Sequence, residues 1–239
     1  MLLTAEQANL LLDTIETKEQ LLDLIERVDH RVQGSVTILY SGVTGVYTSI
    51  GDKIVHSGAM AEALHESGND VRTIDQSEVG KFMNMTKNSS NYNKRFADKL
   101  KQIFGEDKVG LQSFMDGEVI DGMRVNNGVW DKVSARYVAD AVGEVVTFTG
   151  GASESRVFFQ TELPLILSNP RVTSIDGIPI EVFQGMSVED AFKVITAASE
   201  VRASRLKISV DDIGNPLQIN QHYVLDARSF FADSKAING

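Results

Sequence analysis

The chain has 239 residues, 42% hydrophobic, 23% charged and 7% aromatic, which is enough to bury the core of one large domain or two small ones. That balance excludes disorder and collagen-like repeats, and no run of about 18 apolar residues is present to cross a membrane. With 23 Lys+Arg against 33 Asp+Glu the formal charge is −10, and the basic residues do not cluster, so nucleic acid is a poor partner.

Met1-Leu2-Leu3-Thr4-Ala5-Glu6 lacks the basic start and long apolar stretch of a signal peptide. The chain therefore reads as cytoplasmic as written, or as a secreted effector domain without a leader of its own. Met1 can equally be the first residue of a domain taken from a larger protein. Thr4 with Gln7 and Thr17 with Gln20 read as capping boxes, each followed by apolar residues at helical spacing: Leu10, Leu11, Ile15, then Leu21, Leu22, Ile25, Val28. Two amphipathic helices fill the first ~32 residues on that spacing. Val36 to Tyr40 is β-branched and short, a strand that stops at Ser41-Gly42.

From Ser57 to Phe104 the pattern is helical again. Ala59, Met60, Ala63 and Leu64 make one helix that stops near Gly68, and Val79 to Met83 makes a short one. Phe96, Leu100, Ile103 and Phe104 make a third, with Asn88-Ser89-Ser90-Asn91 as a loop before it. Gly110 to Gly128 has no clear period and reads mostly as loop. A helix carrying Val133, Tyr137, Val138 and Ala141 follows, then strands at 145–149, 171–175 and 178–183, the last at an edge because of Pro179. A helix from Ser187 to about Val201 and a strand at 206–210 complete the order. Helices first, then strands alternating with helices, predict an α/β fold: a helical lobe plus a small α/β lobe with a short parallel sheet, and an active-site cleft between them. The lobes interleave, with 1–35 and 50–110 mainly helical and 36–49 and 111–239 α/β.

The absence of cysteine excludes disulfides, a thiol nucleophile, an iron–sulfur cluster and a thiolate zinc site. His30, His56, His65 and His222 are scattered without ligand-like spacing, so no metal site is expected. Phosphate-loop, dinucleotide-fingerprint, nucleophile-elbow and zinc-protease motifs are all missing. Ligands of open parallel sheets bind beyond the carboxyl ends of strands, which singles out Tyr40-Ser41-Gly42 and Thr149-Gly150-Gly151. The sole tryptophan, Trp130, and Glu162, an acid between Phe159 and Leu163, are the other candidates, since a charge in apolar surroundings is costly without a purpose.

These residues resemble the ADP-ribosyl cyclase/NAD glycohydrolase family. That family carries Phe-Trp-Ser-Gly at the end of a central strand, where this chain has Leu39-Tyr40-Ser41-Gly42. Its Thr-Leu-Glu-Asp-Thr corresponds to Thr73-Ile74-Asp75-Gln76-Ser77. Its Trp opening a helix, with a Ser four and an aromatic seven residues on and an acidic–valine strand start, matches Trp130, Ser134, Tyr137 and Glu144-Val145 without a gap. Its catalytic glutamate, with Phe four residues back and an apolar residue after, matches Phe158 and Glu162-Leu163. The similarity covers roughly Val36 to Phe183. It departs at Tyr40, where the family has Trp, at Asp75, where it has Glu, at Phe159, where it has Gly, and in the loss of every disulfide.

The resemblance implies cleavage of the nicotinamide–ribose bond of NAD or NADP as substrate, with no cofactor. It implies Glu162, Trp130 and Asp75 in catalysis and Tyr40, Ser41, Gly42, Ser134 and Phe158 in substrate binding. Hydrolysis to nicotinamide and ADP-ribose is expected, with minor cyclisation, because Asp75 and Tyr40 are smaller than the family's residues. The alternative is a catalytically inactive nucleotide-binding protein on the same scaffold. Unregulated NAD hydrolysis would harm a cell, so a toxin domain with an immunity protein, or a signalling enzyme with a regulatory protein, is the expected setting; a homodimer is a further expectation.

Overall fold

The structure, a computed structural model, describes residues 1–48, 51–66, 70–86, 92–121, 123–205, 208–210 and 216–219. Two capped helices open the chain. In α1 (Ala5–Leu11) the Thr4 hydroxyl accepts from the Gln7 N–H while the Gln7 side chain accepts from the Thr4 N–H, and Thr17 and Gln20 repeat the exchange at α2 (Lys18–Arg27). The β-branched run forms β1 (Val36–Tyr40). An antiparallel hairpin follows, β2 (Val43–Thr48) and β3 (Gly51–His56), which the sequence pattern does not anticipate. Helix α3 (Ser57–Glu66) leads to β4 (Val71–Arg72), a 3₁₀ turn over Ile74–Gln76 and the short α4 (Glu78–Met83).

Next come α5 (Lys94–Phe104), α6 (Lys108–Asp116), the hairpin of β5 (Glu118–Ile120) and β6 (Met123–Asn126), and α7 (Val129–Ala139). The loop expected over 110–128 is therefore a helix and a hairpin. Asp107 caps α6 by accepting from the Gly110 N–H at 2.8 Å, and Gly117, at φ 78°, turns the chain out of it. Strand β7 (Gly143–Phe148), a π-helical turn over Phe158–Glu162, α8 (Leu163–Ser168), β8 (Val172–Ile175) and β9 (Ile178–Pro179) follow. The strand expected over 178–183 ends after two residues, because Pro179 has no N–H to extend a ladder; Ile180–Phe183 is a 3₁₀ turn instead. Helix α9 (Val188–Arg205) and the hairpin of β10 (Ile208–Val210) and β11 (Pro216–Ile219) complete the order. The expected loop at Asn88–Asn91, the helix stop at Gly68 and the strand start at Leu206 lie outside the described residues.

The chain divides into two compact units, Met1–Val32 with Ile74–Asp140, and Gln33–Thr73 with Ala141–Gly239. The division is interleaved, but its boundaries differ from those read off the sequence: α3 belongs with the sheet, and residues 111–140 belong with the helices. The first unit is built on the buried sides of its helices, including Ala8, Leu12, Leu21, Leu24, Ile25, Val79, Phe82, Phe96 and Leu100, with the Phe82 and Phe96 rings 5.0 Å apart. Lys99 is buried there too, and its ammonium donates to the Ile15 carbonyl at 2.8 Å.

The second unit carries a five-stranded sheet in the order β4-β1-β7-β8-β9, parallel throughout except for the last pair, so the fold is α/β. Parallel strands are covered on their faces by crossover helices, which explains their apolar runs. Val36 and Ile38 of β1, Val71 of β4, and Val146 and Phe148 of β7 pack with Met60, Ala61 and Leu64 of α3 as one buried cluster, with Tyr40 at its edge.

Candidate functional site

Strands β1 and β7 are parallel neighbours, paired from Thr37↔Val145 to Tyr40↔Phe148. From β1 the chain passes through β2, β3 and α3 to β4, on one side of the pair; from β7 it passes through α8 to β8, on the other. The strand order thus reverses between β1 and β7, and the carboxyl ends flanking such a reversal open a crevice where ligands of α/β sheets bind. The loops leaving those two ends are the two that the sequence singles out, and they touch. The Ser41 N–H donates to the Phe148 carbonyl at 3.0 Å. Gly42 sits at φ +72°, and a Cβ there would lie 2.6 Å from the Gly151 carbonyl oxygen, so only glycine permits the approach. On the other side Ser57 holds the same loop, its N–H donating to the Gly42 carbonyl at 3.1 Å and its hydroxyl to the Ser41 carbonyl at 3.2 Å. Tyr40 and Ser41 remain partly exposed.

Beneath the second loop lies a buried polar network that the sequence reading misses. The Asp176 carboxylate, fully buried, accepts from the Thr147 N–H at 2.7 Å and from the Thr147 hydroxyl at 2.6 Å. A side chain thereby extends the β7–β8 ladder past Ile175, where β8 itself turns away. The Thr149 N–H donates to the Ser199 hydroxyl at 2.8 Å, and that hydroxyl donates to the Thr147 carbonyl at 2.9 Å. The Thr149 hydroxyl reaches Thr147 Oγ1 at 3.1 Å. Every polar atom at the end of β7 therefore has a protein partner, which fixes the path of Thr149-Gly150-Gly151. One signal was available: Asp176-Gly177 between two apolar runs is a hairpin-turn pair, and Asp176 takes the positive φ of 53° that such a turn needs. Nothing in the pattern marks Ser199 as anything but a helix residue.

Glu162 closes a π-helical turn, in which the Leu163 N–H bonds back five residues to the Phe158 carbonyl. Pro164, which lacks the N–H that the Gln160 carbonyl would use, stands at the first turn of α8 and accounts for the local widening. Glu162 is 7% exposed, an acid held in the apolar segment between Phe159 and Leu163. π-Turns of this kind occur often at functional sites. Phe158 is placed differently from the substrate contact expected of it. It is 1% exposed, its ring centroid lies 6.1 Å from that of Phe192 on α9, and it is packed as a core residue.

Asp75, Trp130 and Ser134 belong to the helical unit, whereas Tyr40, Ser41, Gly42, Phe158 and Glu162 belong to the sheet unit. Trp130 and Ser134 are one turn apart on α7 and share a face; Ser134 is buried and Trp130 half-buried. The start of α7 is held firmly. Asp131 is buried, accepts from the Gly128 N–H at 2.8 Å, and pairs at 2.5 Å with the buried Arg124 guanidinium, which also donates to the Asp116 carbonyl at 2.5 Å. Asp75 is half-buried in the 3₁₀ turn before α4 and is not the cap of that helix, as its spacing from Glu78 suggested. Ser77 is the cap, its hydroxyl accepting from the Gly80 N–H at 2.9 Å. Gly80 lies directly on the turn, since a Cβ there would meet the Ile74 carbonyl oxygen at 2.1 Å and the Asp75 Cα at 2.6 Å.

A groove of about 350 Å³ in the helical unit is lined by Thr17, Lys18, Ile103 and Phe104 with Glu16, Glu19 and Asp107. It is shallow and open, and none of the expected site residues reaches it. Among the described residues no group of three or more His, Asp or Glu is arranged to hold a metal ion, and no helix is long and apolar enough to cross a membrane. No family model matches the chain, and comparison with curated proteins returns no match.

Proposed function

We propose that this chain is an NAD(P) glycohydrolase, cleaving the nicotinamide–ribose bond to give nicotinamide and ADP-ribose. The observation that supports it most is a buried carboxylate, Glu162, on the crossover that leaves β7 at the reversal of strand order. In this reaction the C1′–N bond breaks and nicotinamide keeps the electron pair. The pyridinium thereby departs neutral and needs no general acid. Positive charge develops on the ribose, and a fixed carboxylate stabilises it where little water competes. Water then adds at C1′ and gives up a proton, completing hydrolysis.

The other residues take roles implied by the resemblance. Trp130 and Tyr40 offer flat aromatic faces for the nicotinamide ring. Asp75 addresses the nicotinamide amide, and Ser134 a ribose or phosphate oxygen. Ser41 and Gly42 supply the backbone edge of the crevice, which the Gly42–Gly151 approach keeps free of side chains. Asp75 and Tyr40 are smaller than the family's residues and leave room for water, so linear ADP-ribose is the expected main product, with cyclic product minor. A toxin or signalling setting, with an immunity or regulatory protein as partner, follows from the cellular cost of such an activity. Incubation with NAD and chromatography of the products tests the reading. Nicotinamide with ADP-ribose supports it; nucleotide that binds but stays intact points to the inactive binding protein.

A further inference from the structure

Helix α9 is joined to the candidate site by more than packing. Ser199 bridges the Thr149 N–H and the Thr147 carbonyl, so the helix is locked to the loop after β7 by one buried hydroxyl. The next residue, Glu200, lies against Gly150 of that loop. A Cβ on Gly150 would come within 2.4 Å of Glu200 Cγ and 3.5 Å of its Cα. A glycine at 150 therefore leaves the space that the Glu200 side chain occupies. Glu200 is exposed, and among the described residues its carboxylate has no hydrogen-bond or ion-pair partner. Side chains that merely solvate a helix do not need a facing residue to be reduced to hydrogen. We propose that Glu200 is a specificity-determining residue that selects a nucleotide with a free ribose 2′-hydroxyl and rejects one with a 2′-phosphate, so that the substrate is NAD rather than NADP.

The chemistry is direct. A carboxylate accepts hydrogen bonds from a vicinal diol. Against a phosphate monoester it offers no donor and faces a like charge, on a chain that already carries −10. Arg72 and Arg156, the arginines of the two segments nearest the loops in sequence, do not supply a visible counter-charge: Arg72 is buried, with its Nε donating to Thr37 Oγ1 at 2.8 Å, and Arg156 lies beyond the glycine loop and is exposed.

This inference rests on the NAD(P) glycohydrolase reading, and its test separates the two. The full chain and Glu200→Gln are assayed for release of nicotinamide from NAD and from NADP, and titrated calorimetrically with ADP-ribose and 2′-phospho-ADP-ribose, which need no turnover. The parent protein should favour the 2′-hydroxyl compound of each pair by about tenfold or more, the scale of one like-charge contact near a protein surface. Glu200→Gln should bring the ratio close to one, mainly by improving the phosphorylated compound. Glu200→Lys should invert it. The preference should shrink as salt is raised, which a purely structural role for Glu200 would not produce. Cleavage of NAD with a ratio that Glu200→Gln leaves unchanged overturns the role of Glu200 and spares the glycohydrolase. Failure to bind or cleave any of the four compounds overturns both.

Discussion

Glu162 serves an oxocarbenium ion only as a carboxylate. Glu162→Gln keeps the shape and removes the charge, and is expected to lower kcat by at least ~10²–10³-fold, the scale of losing one preorganised stabilising group. Affinity for ADP-ribose should barely change, because the charge matters in the transition state rather than the ground state; steady-state rates together with calorimetry check both halves. Trp130, the only tryptophan, gives a second test with a single optical source. Nicotinamide stacked on it should quench its fluorescence, and Trp130→Ala should weaken binding by roughly 1–3 kcal/mol, the scale of ring stacking on a base. Unchanged emission and normal cleavage by the variant would return Trp130 to the role of a packing residue. These two residues are legible in the sequence because each is anomalous in its surroundings, a charge among apolar neighbours and a lone indole. Glu200 is not, since an acid on an amphipathic helix looks like any solvated position. Asp75 is misread as a cap because Ser77 offers the same chemistry two residues nearer the helix.

At the scale of elements, the buried pair Arg124–Asp131 fixes the first turn of α7, on which Trp130 stands. Asp131→Ala leaves a buried guanidinium without its partner and should cost about 3–5 kcal/mol in urea unfolding. At the end of β7, Asp176→Ala orphans the Thr147 N–H and hydroxyl, at about 1–3 kcal/mol for each donor left unpaired. Asp176→Asn should be milder, because its amide oxygen still accepts from the N–H while its NH₂ can donate to Oγ1. Equal loss in both variants would show that charge, not hydrogen bonding, holds the loop. β1, β7 and α7 are legible from period and composition alone. The β2–β3 hairpin is hidden because Gly45 and Gly51 interrupt its β-branched run, and glycine is read as punctuation when a neighbouring strand pairs it. The same bias hides α6 and the β5–β6 hairpin, where the glycines mark ends of elements rather than a loop. The reversal of strand order, which locates the crevice, is a property of pairing and cannot be read from any local pattern.

Over the whole molecule, the helical unit loses stability in acid, and the sign follows from two groups. Burial, followed by the charge of Arg136, holds the pKa of His30 below its ordinary 6.5, although Asp140 stands 3.2 Å away and pulls the other way. The folded state thus binds fewer protons than the unfolded chain. The contribution is complete above the ordinary histidine value and is lost as pH falls through the lowered one. Asp29 has the same sign lower on the scale: hydrogen bonds from the Arg31 guanidinium bring it from 3.8 to about 2, so its contribution is complete above 3.8 and is lost as pH falls toward 2. Thermal midpoints of the parent chain should therefore drop more between about pH 7 and pH 5 than those of His30→Gln; parallel curves would contradict the assignment to His30.

The activity itself is tested most directly by following nicotinamide release from NAD by the purified full chain, with Glu162→Gln in parallel. The parent should yield nicotinamide and ADP-ribose in equal amounts, and the variant should be slower by at least ~10²–10³-fold at matched folded fraction. No nicotinamide from the parent, or parent-like release from Glu162→Gln, would contradict the assignment.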